Sequence, residues 1–460
     1  MRPKAAVGWG PIEDEREISG GLGNQPPGDV EWGRSVFAIT AVTQIGIFMK
    51  IAACRPKIRC CVAALCAFVA PAAEADDGIL HFSSFGTLGA AYHRADSIEY
   101  RRSIDQSDGA MGGKVNYDID SLIGVQLNAN FGRGVEGVFQ AVSRERPEND
   151  WNPQTTWAFL RYAPNESWEF RVGRVGLDLL LFSETRNIGY SYLPIRPAPE
   201  VVGLSSIDHL DGFDLRLRQP VGTGIASLKF YAGTSQGKFY SGGVREQAKA
   251  KFAALVGEYA LDDLILRAWV GSARLRDNGA LEPIFVFLRG TGSPYGAALA
   301  DQMQLQDETY RYAALAGTYN HGPFQFQAAV TRMGVREDNP VLPILHGAYF
   351  VAGYRVGEFT PYIAYARAKS DRREVAADLS GSPQGVFLKN FVTSLTINSV
   401  QVDQHTFTLG LRYDISSGLD VKFQLDNVRA GRTRLVRNLA DTTLDPRPFN
   451  MLSVALDFAF

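Results

Sequence analysis

Apolar and polar residues alternate with a period of two through much of the chain, most cleanly in its last ten residues, Met451 to Phe460. Leu452, Val454, Leu456, Phe458 and Phe460 share one parity, while Ser453, Ala455, Asp457 and Ala459 share the other. In an extended strand the two sets point to opposite faces. A strand with a wholly apolar face needs an apolar neighbour, which is a second sheet in a soluble sandwich and lipid in an outer-membrane barrel.

From Ile79 onward the same pattern predicts strands of about ten residues, separated by breaks of two lengths. The short breaks carry turn chemistry, as in Gly132-Arg133-Gly134, Pro164 to Ser167, Val221 to Gly224, Leu261 to Asp263, Asn320 to Pro323, Gly357-Glu358 and Ser416 to Gly418. The long breaks fall at 93–113, 146–153, 175–209, 234–249, 274–308, 333–346, 370–403 and 430–447. Short and long alternate, so both ends of the array lie on the short-turn side. This is the pattern of an all-β, closed antiparallel up-and-down transmembrane barrel of about sixteen strands, wide enough for an aqueous channel.

No segment after Asp76 holds the run of about eighteen apolar residues that a membrane-spanning helix needs. A soluble all-β array is the competing reading. Aromatic residues flanking many strands (Tyr92, Trp157, Trp168, Tyr190, Tyr259, Trp269, Tyr319, Tyr354 and Tyr413) suit interfacial girdles; they are equally ordinary sheet residues.

Upstream of the strands, residues 49–75 read as a secretory signal. Lys50, Arg55, Lys57 and Arg59 precede the apolar run Cys60 to Val69, and Ala73-Glu74-Ala75 fits a small-x-small cleavage site. All four cysteines lie inside this signal, so a mature chain starting near Asp76 has no disulfide, thiolate ligand or cysteine nucleophile. Residues 1–48 are expected to lie outside the fold. They are either an upstream start assigned in error, with Met49 the true start, or part of a long signal. Residues 76–460 then form a single barrel domain. A net charge of −2 with both signs scattered argues against a nucleic-acid partner.

The terminal Phe460 closing an alternating strand is similar to the strand by which Gram-negative outer-membrane barrels are recognised for insertion. With His81-Phe-Ser-Ser-Phe-Gly-Thr-Leu-Gly89, Asp120-Ser-Leu-Ile-Gly-Val-Gln126 and Phe170-Arg-Val-Gly-Arg174, the chain from Ile79 to Phe460 resembles the trimeric porins of about sixteen strands. Leu122 stands where such porins often carry a basic residue. The resemblance implies an outer-membrane location, a homotrimer, and passive diffusion of small hydrophilic solutes or ions through a water-filled channel. It also implies a third outer loop folded into the lumen as a constriction.

A pore works through the residues that face water, and an Arg or Lys facing lipid at mid-depth costs roughly 2–4 kcal/mol. The polar parity is therefore expected to line the lumen, with Arg171, Arg216, Arg218, Lys229, Arg267, Arg311, Arg355, Arg412 and Lys422 as its bases. Arginine holds its charge without a buried partner, so the expectation is an electropositive, anion-attracting wall. The alternative is solvated or paired charges without selectivity. The third long break is unusually apolar, from Leu177 to Phe182 and again at Tyr190, Tyr192, Leu193 and Ile195. Folded inward, it would bring Asp178, Glu184, Arg186, Arg196 and Glu200 towards the wall arginines; otherwise it is a subunit-contact or surface loop.

The six histidines, His81, His93, His209, His321, His346 and His405, form no recognisable catalytic motif, and no metal-ligand spacing or phosphate-cradling loop is present. No cofactor or enzymatic activity is expected. A porin is the first reading; a barrel enzyme of lipase or protease type and an adhesin or receptor barrel are the others.

Overall fold

A computed structural model describes residues 79–241, 244–335, 339–371, 382–393, 400–431, 433–440 and 446–460. The expected extension 1–48 and signal 49–75 lie outside the described residues.

The strands in chain order are β1 (Leu80–His93), β2 (Ile98–Tyr100), β3 (Ala110–Met111), β4 (Leu122–Gly132), β5 (Val135–Arg144), β6 (Gln154–Tyr162) and β7 (Trp168–Gly176). They continue with β8 (His209–Val221), β9 (Gly224–Ser241), β10 (Val244–Ala260), β11 (Leu264–Leu275), β12 (Thr309–His321) and β13 (Phe324–Gly334). The last six are β14 (Leu345–Tyr354), β15 (Phe359–Ser370), β16 (Asp403–Ser416), β17 (Leu419–Ala430), β18 (Val436–Asn438) and β19 (Phe449–Ala459). Sixteen of them, all but β2, β3 and β18, close into one antiparallel barrel in which each pairs with its sequence neighbours and β19 pairs with β1. Closure leaves none of the sixteen barrel strands at a sheet edge, as hydrocarbon requires.

The short turns are shaped by backbone only glycine adopts freely: Gly222, Gly322, Gly357 and Gly418 have φ of 61°, 55°, 61° and 79°. One expected loop is absent. Residues 234–249 are mostly strand, because β9 and β10 pair all the way from Gly224–Ser241 to Val244–Ala260. Small and polar residues such as Gly233, Thr234, Ser235 and Gly237 continue the ladder there without an alternating signal.

On the outward face Phe82, Leu127, Leu160, Phe170, Val172, Phe213, Leu315, Val330, Leu409 and Leu452 are exposed. On the inward face the same strands carry buried Gln140, Glu169, Asp214, Lys229, Thr406, Gln424 and Asp457. Apolar-out and polar-in is the reverse of a soluble sandwich and fits a barrel whose outer surface meets lipid. Among the described residues no helix is long and apolar enough to cross a membrane; the apolar outer surface belongs to strands. The aromatic expectation holds in part. Trp168, Tyr319 and Tyr354 are exposed on the outward face near the short turns, and Tyr413 stacks on Phe359 with centroids 4.8 Å apart. Trp269 is instead buried on the inward face, and Trp157 packs against the buried cluster that contains it.

Candidate functional site in the barrel interior

The segment 177–208, between β7 and β8, is where the interior charges converge. Its first part is fastened to β7–β12. Asp178 is fully buried and accepts from Lys229 Nζ at 3.0 Å, Arg267 Nη2 at 2.9 Å and Trp269 Nε1 at 3.2 Å. The Asp178 carbonyl accepts from Tyr231 Oη at 2.8 Å, and that of Leu179 accepts from Tyr312 Oη. Glu184 lies among three bases, 3.0 Å from Arg216, 3.2 Å from Arg171 and 3.4 Å from Lys229.

Burial pushes both carboxyls up, but these cations outweigh it: Asp178 is held below, and Glu184 well below, the usual carboxylate range. Both stay ionised at neutral pH. Arg171 is further gripped by Asp214 at 2.8 Å and Arg267 by Glu258 at 3.0 Å. Four bases (Arg171, Arg216, Lys229, Arg267) thus meet four acids (Asp178, Glu184, Asp214, Glu258).

The second part of the segment is fastened to β16, β17 and β19. Lys422 Nζ donates to the carbonyls of Gly189 at 2.7 Å and Tyr192 at 2.6 Å, and pairs with Asp457 at 3.0 Å. Arg412 donates to the Tyr190 carbonyl at 2.8 Å, lies 4.5 Å from the Tyr190 ring centroid, and pairs with Asp420 at 3.1 Å. Arg196 forms a two-pronged pair with Asp120 at 2.7 and 2.6 Å, and reaches Asp426 at 2.9 Å and Ser453 at 2.7 Å. Glu200 accepts from Gln404 at 2.9 Å and from Thr406; burial pushes its carboxyl up.

Small inward residues make room for this packing. A Cβ on Gly353 would lie 2.6 Å from Leu193, one on Gly347 3.2 Å from Val201, and one on Gly189 2.0 Å from Asp457. In the closed strand order β11 and β19 are seven positions apart in a ring of sixteen, so about twenty residues tie nearly opposite walls together.

Beside the segment lies a cavity of about 610 Å³ whose charged lining includes Arg102, Arg144 and Arg186, with Asp277 as its acid. Arg144 is paired with Asp105 and, at 3.7 Å, with Asp208. Arg186 makes no direct ion pair among the described residues, and Asp208 and Asp105 are the acids near enough to act on it.

Glu145 anchors the first long loop. It is buried and accepts from the Asp108 N–H at 3.0 Å, Ser107 Oγ at 3.1 Å and Gln106 Nε2 at 3.3 Å. Burial dominates and pushes its carboxyl up from 4.5 to about 7. The docked loop therefore holds a proton that the undocked loop releases between pH 4.5 and about 7, so docking is favoured below this window and weakens as pH rises through it. The expected loss is about 3 kcal/mol. It is measured as faster hydrogen exchange at residues 103–108, corrected for intrinsic rates, and Glu145→Gln should flatten the dependence.

Most of the bases expected from parity do point inward: Arg171, Arg216, Arg218, Lys229, Arg267, Arg412 and Lys422 all pair with acids of the wall or of 177–208. One does not. Arg311 shares its face with exposed Leu315, opposite buried Ala314 and Ala316, and is itself exposed; lying near the long-loop end of β12, it avoids the hydrocarbon cost assumed for an outward base. Arg355 lies past the end of β14 in a turn, bonded to the Gly357 carbonyl at 3.2 Å and 3.7 Å from Asp414 on the polar parity of β16.

Of the loop residues, Asp178 and Glu184 meet wall bases as expected. Arg196 meets acids instead, and Glu200 meets an amide and a hydroxyl. Sequence reading did not single out Asp120, Asp420 and Asp457 as partners, although Asp420 and Asp457 sit on the polar parity of their strands.

No family model matches the chain, and neither does any curated protein. Its fold is similar to that of solved outer-membrane structures at low identity. OmpF of Salmonella typhi, in complex with daunomycin, matches with a TM-score of 0.49 at 10% identity over 83% of this chain and 97% of its own. OmpT of Vibrio cholerae in its trimer form matches at 0.48 and 13%, over 83% and 100%. An anion-selective porin from Comamonas acidovorans matches at 0.46 and 11%, over 83% and 99%.

Proposed function

We propose that the barrel is a porin of the Gram-negative outer membrane, a water-filled channel for passive diffusion of small hydrophilic solutes. The observation that supports this best is the segment 177–208, bonded to nearly opposite walls of a closed barrel whose inward face is polar and outward face apolar. In this reading the segment folds into the lumen as the constriction, and solutes pass beside it through the cavity lined by Arg102, Arg144 and Arg186. The protein acts without catalysis, and the chain assembles as the homotrimer that the sequence resemblance implies.

A modest anion preference belongs to this proposal, but its source is not the wall arginines first expected to provide it. Arg171, Arg216 and Arg267 are matched by carboxylates at 2.8–3.2 Å, and matched charges leave little net field. Arg102, Arg144 and Arg186 line the open cavity, where Asp105 and Asp208 offset only part of their charge, and lie within a Debye length of about 8 Å of permeating ions. Liposomes containing the protein should swell in isotonic solutions of small sugars. Under a salt gradient the reversal potential should favour anions and shift towards cations by several-fold in permeability ratio when Arg102 and Arg186 are changed to glutamate. Absence of swelling counts against the channel; an unchanged reversal potential counts against these arginines.

A further inference from the structure

The outward face differs between its two rims. Near the short turns it is aromatic. Near the long loops, on β10 to β17, it is basic, and the strand register places these bases side by side. Lys251 is the register partner of Arg274 across β10 and β11. Across β13, β14 and β15, His346 lies between Arg332 and Lys369. Across β15, β16 and β17, His405 lies between Arg367 and Arg429. Arg311 on β12 fills the gap between the first and second rungs. All share their parity with exposed apolar residues deeper on the same strands, including Leu255, Val270, Val330, Phe350 and Phe407, so they continue the lipid-facing surface just above its apolar belt.

Among the described residues three acids accompany these bases: Asp307 pairs with Arg274 at 3.1 Å, Asp371 lies 3.4 Å from His346, and Asp403 is the register partner of Lys369. Arg311, Arg332 and Arg367 have no ion-pair partner among the described residues. Two outward bases elsewhere are neutralised, Arg174 by Asp211 at 2.7 Å and Lys238 by Glu148 at 2.7 Å. Among the described residues the excess of outward positive charge is thus concentrated on this arc of one rim.

We propose that this arc binds phosphorylated lipid, the phosphates held by the basic rungs and the acyl chains lying on the apolar belt beneath. Adjacent strands are about 4.8 Å apart, so bases on neighbouring strands reach oxygens of one phosphate group, and charge-assisted bonds to phosphate are among the stronger polar contacts. A free phosphate would gain the charge contacts alone. The inference rests on the membrane reading of the barrel but not on its conducting ions.

The test uses the full barrel in a neutral detergent, with native mass spectrometry of lipid retention. Phosphatidic acid should be retained over phosphatidylcholine, and retention should fall as salt rises. Changing Arg332, Arg367 and Lys369 together to glutamine should weaken phosphatidic-acid binding by about tenfold or more. The single variants Arg332→Gln and Arg367→Gln should each show part of the loss, and they decide the matter if the triple variant does not fold. Equal retention of the two lipids, or unchanged retention by the folded variants, overturns the proposal. Displacement of phosphatidic acid by inorganic phosphate at matching concentration also overturns it, because the site would then be one for a soluble anion. A barrel that conducts but retains both lipids alike fails here only; one that selects phosphatidic acid but conducts nothing fails only as a channel.

Discussion

Replacing Lys422 by methionine is expected to destabilise the barrel by about 3–5 kcal/mol and to loosen the segment 177–208 around Gly189 and Tyr192. The Lys422 side chain is completely buried, and its three donors are spent on the Gly189 and Tyr192 carbonyls and on Asp457. Methionine fills similar space but leaves Asp457, buried and close to Asp420, without its cation. Removing one partner of a buried ion pair costs far more than the pair contributes, because the other charge stays behind desolvated. Two readouts check this. The temperature at which the folded band disappears in detergent electrophoresis should fall clearly, and single channels of the variant should be larger and noisier than wild type. An unchanged transition together with wild-type conductance would show that the buried cation does not hold the segment.

The second large effect is on selectivity. On the proposed channel reading, changing Asp178 to alanine should raise the anion-to-cation permeability ratio about threefold or more. In the wild type four bases and four acids balance around Asp178 and Glu184, and the carboxylate removed is ionised because Lys229 and Arg267 hold it below its usual range. Its loss leaves Lys229 and Arg267 facing the lumen with one positive charge in excess, unscreened over a channel radius. Asp178→Glu should restore wild-type behaviour. A reversal potential that does not move in Asp178→Ala would mean that permeating ions do not pass within reach of this cluster.

The barrel was legible in the sequence because its cues are local. Turn residues such as Gly222 and Gly418 mark the short connections, and the side-chain period of two marks each wall strand whatever it packs against. The face of a charge was legible for the same reason, but only where a strand crosses hydrocarbon. Arg311 shows the boundary, since an arginine at the rim faces outward without being buried in lipid. Trp269 shows a second limit: it suits a girdle by type, yet its indole N–H is taken up by Asp178 in the interior.

Pairing was the part the sequence withheld. Parity says which side of the wall a residue is on but nothing about which strand stands opposite, so the joining of Arg196 to Asp120 and to Asp426, 76 and 230 positions away, could not be foreseen. The same holds for the wall bases, whose pairing with Asp178, Glu184 and Asp214 offsets the expected positive wall. A usable signal did exist in the inward glycines of β14, Gly347 and Gly353, whose missing side chains mark where the segment presses closest.

The most direct measurement is single-channel recording of the folded, mature chain in a planar lipid bilayer. The account predicts discrete, long-lived conductance steps in the wild type and larger steps when the segment is loosened by Lys422→Met. A folded barrel that inserts into the bilayer yet gives no conductance steps would contradict the reading of its interior as a water-filled channel.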